Sequence, residues 1–128
     1  MDKEIICIDT SILIDFYRKK DKGKSKFVEL SRKFNFCISV ITKLEILVGM
    51  NPETEDFWNG IFSRITIFPI HEMEVEKASQ IIRSLRKQNK IIDIQDILIA
   101  ATAIVNNVKL CTINHKHFVR ISELKLLE

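Results

Sequence analysis

Three acidic residues sit where an apolar run meets a helix, and their chemistry is the most specific thing in the chain. Asp9 closes Ile-Ile-Cys-Ile-Asp-Thr-Ser, Glu45 lies inside Ser-Val-Ile-Thr-Lys-Leu-Glu-Ile-Leu-Val-Gly, and Asp96 lies inside Asp-Ile-Gln-Asp-Ile-Leu-Ile-Ala-Ala-Thr-Ala. A carboxylate among Ile, Leu and Val carries a desolvation cost unless a cation or hydrogen-bond donors meet it. Three such sites in one small chain point to a shared cation. Clustered oxygen ligands are how proteins hold Mg²⁺, or Mn²⁺, and activate water for phosphodiester cleavage.

Each acid also has a purely structural role open to it. Asp9 can cap the helix after it. Thr42 and Glu45 have the spacing of a capping box, and Asp93 with Asp96 reads as an N-cap acid followed by a first-turn acid. Together these readings weaken, because a capping Glu has no need of Leu44, Ile46, Leu47 and Val48 around it. Nor does a capping Asp need to open the most apolar helix of the chain.

The elements that must position these residues alternate strand and helix. Residues 5–8 form a short continuous apolar run, as expected of a strand buried on both faces. Thr10 or Ser11 can cap a helix with Leu13, Phe16 and Tyr17 inward. A second helix is expected over 25–33, a strand over 36–40 and a helix over 42–48 that Gly49 and Asn51-Pro52 end. Residues 54–62 read as a helix, with Trp58 as packing, and 65–68 as a strand. The long helix over 71–87 places Val75, Ala78, Ile82 and Leu85 on one face, and Met73 also reads as packing. Asn89 suits a left-handed cap. A buried helix over 93–106 and a strand over 109–112 follow, and residues 119–127 offer a fifth strand. The pattern is α/β, with a parallel sheet covered on both faces. Sites in such sheets form beyond the carboxyl ends of strands.

At 128 residues the chain is read as a single domain, 1–128. Its 46% apolar and 29% charged residues exclude a disordered chain. Cys7, Cys37 and Cys111 lie in apolar runs without paired spacing, which suits reduced thiols and a cytoplasmic setting. Apolar runs fall short of a membrane span, and the N-terminus has no signal-peptide pattern. Residues 18–33 hold eight bases and two acids, a local charge of +6 that leaves the rest at −3. Lys19, Lys20, Lys22, Lys24 and Lys26, with Arg86 and Lys87 from the long helix, could hold phosphates of a polyanion without reading its sequence; a solvated surface is the plainer reading of such a charge run. His115 and His117 would share a face on a strand, yet no second ligand pair makes a zinc site with them.

Four segments carry a family resemblance: Ile8-Asp9-Thr10-Ser11; Ile38-Ser39-Val40-Ile41-Thr42 through Glu45 to Gly49; Asp96-Ile97-Leu98-Ile99-Ala100-Ala101-Thr102-Ala103; and Leu110-Cys111-Thr112-Ile113-Asn114 leading to Phe118. In this order they resemble a PIN-domain ribonuclease of the VapC type, the toxin of a toxin–antitoxin pair, from about residue 4 to 124. The resemblance implies a three-layer α/β/α domain with a mainly parallel, four- to five-stranded sheet. It implies that Asp9, Glu45 and Asp96 form an acidic Mg²⁺ pocket, Mn²⁺ being the alternative ion, and that Thr10, Ser11 and Thr112 orient them. RNA as substrate, a small VapB-like antitoxin with a basic side chain over the acids, and a homodimer all follow from the family. Many members carry a fourth acid where Asn114 stands. Asp93, one turn before Asp96, offers a replacement charge, although capping is its simpler role. A free-standing PIN nuclease of RNA processing or decay, and a non-catalytic PIN domain binding RNA or a partner, are the alternatives.

Overall fold

The computed structural model describes residues 2–128. Strand β1 (Glu4–Ile8) is central and fully apolar beyond Glu4, because both its faces are covered. It leads into α1 (Thr10–Arg18), a 3₁₀ turn (Lys22–Lys24), α2 (Lys26–Ser31) and β2 (Phe34–Ser39). Then come α3 (Val40–Gly49), α4 (Glu55–Phe62), β3 (Thr66–Phe68), α5 (Glu72–Lys87), α6 (Ile94–Val105), β4 (Leu110–Cys111) and the short α7 (His115–Phe118). The sheet order is β3-β2-β1-β4, every pairing parallel, with Cys7 opposite Cys37 on one side and Leu110 on the other. The chain thus winds outward from β1 in one direction and returns to place β4 on its other flank. That reversal is the switch point at which open α/β sheets form clefts.

Alternation along β1 splits the core into two layers. Ile6 and Ile8 pack with Ile12, Leu13, Leu30, Ile38, Ile46, Trp58 and Phe62 beneath α1 to α4. Cys7 and Cys37 pack with α5 and α6, against Ala78, Ile81, Leu85, Ile97 and the buried alanines of α6. The three-layer α/β/α expectation is met, and all three thiols are buried and free. Asn89 takes the left-handed conformation expected of it, at φ 57°.

Four local expectations change. Helix α3 starts at Val40, because the Ser39 hydroxyl accepts the Ile41 N–H at 3.2 Å and caps it. Thr42 therefore lies in the first turn, fully buried, and forms no capping box with Glu45. On α5 the buried line is Glu74, Ala78, Ile81 and Leu85, whereas Val75 and Met73 are exposed. Glu74 turns back to accept the His71 N–H at 2.8 Å, so its carboxylate is satisfied locally while its stem is buried at the head of that line. The fifth strand shrinks to one parallel bridge, Leu110 with Leu126. Residues 118–124 satisfy their backbone in turns and anchor through Ile121 and Leu124 instead. His115 and His117 lie on α7, not on a strand.

Candidate active site

Asp9 follows the last residue of β1, and the chain's turn into α1 fixes its carboxylate at the floor of a cleft beside the switch point. It is 3% exposed. Ser11, in the first turn of α1, donates its hydroxyl to Asp9 Oδ1 at 2.5 Å. Thr112, just past β4, donates to Oδ2 at 2.5 Å. Both hydroxyls are locked from behind, since Ser11 Oγ accepts the Ile113 N–H at 3.0 Å and Thr112 Oγ1 accepts the Asn114 N–H at 2.9 Å. Those donations fix where each hydroxyl proton points. Burial pushes the Asp9 carboxyl above the ordinary carboxylate range; the two hydroxyls oppose the rise, and the charge of Asp96 adds to it.

Glu45, in the second turn of α3, accepts the Thr10 hydroxyl at 2.7 Å. Thr10 Oγ1 also lies 3.4 Å from Thr42 Oγ1, so this pair ties the starts of α1 and α3 together. Asp96 sits in the first turn of α6, and its carboxyl is also raised, first by burial and then by the neighbouring Asp93. His117 on α7 opposes that rise, with Nδ1 at 3.6 Å from Asp96 Oδ2. Asp93 makes no side-chain cap bond, so its capping role is confined to position.

The cleft, about 580 Å³, is lined by Asp9, Thr10, Ser11, Glu45, Asp96 and Asn114, all expected at a site. Of the anticipated phosphate-binding bases only Lys19 lines it; Lys20, Lys22, Lys24, Lys26, Arg86 and Lys87 do not. Lys22 is used structurally: its ammonium donates to the Tyr17 and Lys19 carbonyls and stands 5.4 Å from the Phe16 ring centroid. Lys26 pairs with Glu29, and Arg86 lines a separate groove with Lys90 and Ile91. Arg18, the first base of the 18–33 run, also lines the cleft, as do Ile14 and Asp15, neither of them expected at the site. Their signal was available, because 11, 14, 15 and 18 share one helical face.

Among the described residues no Lys or Arg lies within ion-pair distance of Asp9, Glu45 or Asp96. Three carboxylates facing one cleft therefore have no Lys or Arg to balance them. The donors are carboxylate and amide oxygens, which suit a hard divalent ion such as Mg²⁺ or Mn²⁺. Among the described residues no group of three or more Asp, Glu, His or Cys side chains stands close enough together to hold a metal ion by itself. An open cleft with few protein ligands suits an ion that keeps several of its waters.

The PIN domain family profile matches residues 6–124. The chain is 36% identical over 122 residues to a protein named Ribonuclease VapC1 from Methanocaldococcus jannaschii, covering 94% of this chain and 84% of that one. It is 35% identical to Ribonuclease VapC1 of Rickettsia felis, covering 95% and 94%. Among solved structures, VapBC2 of Rickettsia felis bound to a promoter DNA fragment superposes with a TM-score of 0.83 at 26% identity, covering 96% of this chain and 97% of that one. VapBC-1 of nontypeable Haemophilus influenzae gives 0.84 at 25%, covering 97% of each. The profile spans nearly the whole chain, including every residue that lines the cleft, and the chain belongs to the PIN-domain family.

Proposed function

We propose that this protein is a divalent-metal-dependent endoribonuclease, acting as the toxin of a VapBC-type toxin–antitoxin pair. The observation that carries the reading is Asp9: a buried carboxylate, held by two neutral hydroxyls, facing Asp96 with no Lys or Arg to balance either. Such an arrangement costs stability and is kept where a cation is to be bound. The relatives named ribonucleases support RNA as the substrate class, and the VapBC complexes support a VapB-like antitoxin as the partner.

Asp9 and Asp96 would hold a Mg²⁺ or Mn²⁺ ion, with Glu45 reaching it through water. When bound, that ion supplies Lewis-acid polarisation of a phosphoryl oxygen and acidifies water. Ser11 and Thr112 keep Asp9 in one rotamer, and Thr10 does the same for Glu45, so the acids meet the phosphodiester without reorganising. Asn114 offers a carbonyl or an amide at the wall but no charge. Arg18 and Lys19, at the end of α1, would take flanking phosphates and position the scissile one over the acids.

An apolar depression lined by Ile14, Tyr17, Ile46 and Trp58 continues from the cleft, sharing Ile14 and Glu45 with it. Leu44 and Val48 are exposed on the neighbouring helix. That combination suits an amphipathic antitoxin segment whose basic side chain would reach the acids. A second copy of the chain is also expected to associate, giving a homodimer. Among the described residues no helix is long and apolar enough to cross a membrane.

Expression in a bacterial host tests the reading. Growth should arrest with the wild-type chain and continue with Asp9→Asn or Asp96→Asn, and a search for a small open reading frame beside the gene should yield one whose co-expression restores growth. Equal arrest by Asp9→Asn would overturn it, as would unimpaired growth with the wild-type chain.

A further inference from the structure

One group beside the cleft, next to Asp96, remains unused: His117. Its residue is about half exposed, its side chain 54% accessible, so no core role fixes it there. Its Nδ1 lies 3.6 Å from Asp96 Oδ2, the one nitrogen within ion-pair distance of any of the three acids among the described residues. Two protein atoms ligating one small divalent ion lie roughly 3–4 Å apart, since each stands about 2.0–2.2 Å from it. Helix α7 carries His117 to this position, and Phe118, fully buried beside it, pins the helix to the α5–α6 layer. His117 is therefore presented on a fixed support at ligand spacing from Asp96.

We propose that His117 is a nitrogen ligand of the same ion that Asp96 holds, making this a mixed nitrogen–oxygen site that prefers a divalent transition metal to Mg²⁺. The inference rests on the metal-binding reading above. Its chemical basis is that Mg²⁺ takes oxygen ligands almost exclusively, whereas an imidazole stabilises first-row transition ions. It also answers the missing fourth acid. Where Asn114 adds no charge, His117 adds a donor of a different type next to Asp96.

Mn²⁺ serves as the probe, because pulsed electron paramagnetic resonance detects a directly bonded imidazole nitrogen. The wild-type protein with one equivalent of Mn²⁺ should show nitrogen modulation, and His117→Ala should bind Mn²⁺ without it. His117 is exposed enough that alanine leaves the core untouched, and circular dichroism of the variant checks this. Competition between the two ions should show His117→Ala losing about tenfold in Mn²⁺ affinity, on the scale of losing a supporting partner of a metal ligand, with little change for Mg²⁺. Mn²⁺ bound without nitrogen modulation overturns this inference alone and leaves the carboxylate site standing. Modulation that persists in His117→Ala, as from His115, also overturns it. Absence of any Mn²⁺ binding that Asp9→Asn can weaken overturns both readings.

Discussion

Replacing Thr112 with valine removes one hydroxyl from behind the central carboxylate while keeping its shape. The hydroxyl donates to buried Asp9 Oδ2 at 2.5 Å and accepts the Asn114 N–H at 2.9 Å. A hydrogen bond to an ionised group is worth about 1.5–3 kcal/mol and a neutral one about 1 kcal/mol, so the metal-free variant should lose about 2.5–4 kcal/mol at neutral pH. Unfolding entropy of about 2.1 cal/mol/K per residue, over 128 residues, converts this to a melting temperature about 9–15 °C lower. The loss should depend on pH in a defined direction. The folded Asp9 carboxyl is raised above its ordinary value, so the folded protein keeps that proton when the unfolded chain has released it. Stability contributed by this group is thus present at the acid end and is lost as pH rises through the folded value. Valine removes a donor that favours the charged form and extends that decline upward. The difference between the two proteins should therefore grow with pH from about 4 towards 7, starting from about 1–2 kcal/mol. Urea unfolding in EDTA across this range reads it directly. A loss independent of pH, or below about 1 kcal/mol at neutral pH, would refute the argument.

Other expectations follow from the same contacts. A divalent ion at a hundred times its dissociation constant should stabilise the folded chain by about 2.7 kcal/mol, roughly 10 °C, and Asp9→Asn should abolish this shift in a thermal melt. Ser39→Ala removes both the cap of α3 and the acceptor for Thr102 Oγ1 at 3.0 Å, and should cost about 1–2 kcal/mol in denaturant unfolding. Lys19→Ala should lower the salt dependence of RNA binding by about one phosphate contact, read as the slope of log affinity against log salt. Lys22→Met should leave that slope unchanged and cost about 1–2 kcal/mol of stability, because its ammonium is spent on two carbonyls and an aromatic ring.

The parts of the fold that could be read from the chain are those where local pattern and tertiary demand agree. The continuous apolar run of β1 and the Ile- and Ala-rich α6 are buried because nothing else could cover them, and the acids at their ends follow in position. Asn89 was legible because its left-handed turn needs that residue type. What the chain does not show locally is which partner a polar side chain takes. Thr42 and Glu45 have capping-box spacing, yet Glu45 bonds Thr10, thirty-five positions away, and the true box joins His71 with Glu74. Likewise, the run of bases over 18–33 reads as one surface, but packing turns Lys22 onto aromatic rings and leaves Arg18 and Lys19 on the cleft. His117 is the clearest case. Its closeness to Asp96 depends on how α7 docks, which no spacing in the chain records.

Cleavage of a structured RNA by the purified protein tests most directly whether Asp9, Glu45 and Asp96 form one catalytic pocket. The account predicts cleavage with Mg²⁺ or Mn²⁺ that stops in EDTA, and a loss of at least about a hundredfold in Asp9→Asn and Asp96→Asn while the folded state and RNA binding persist. Cleavage that survives EDTA, or that either substitution leaves intact, would contradict it.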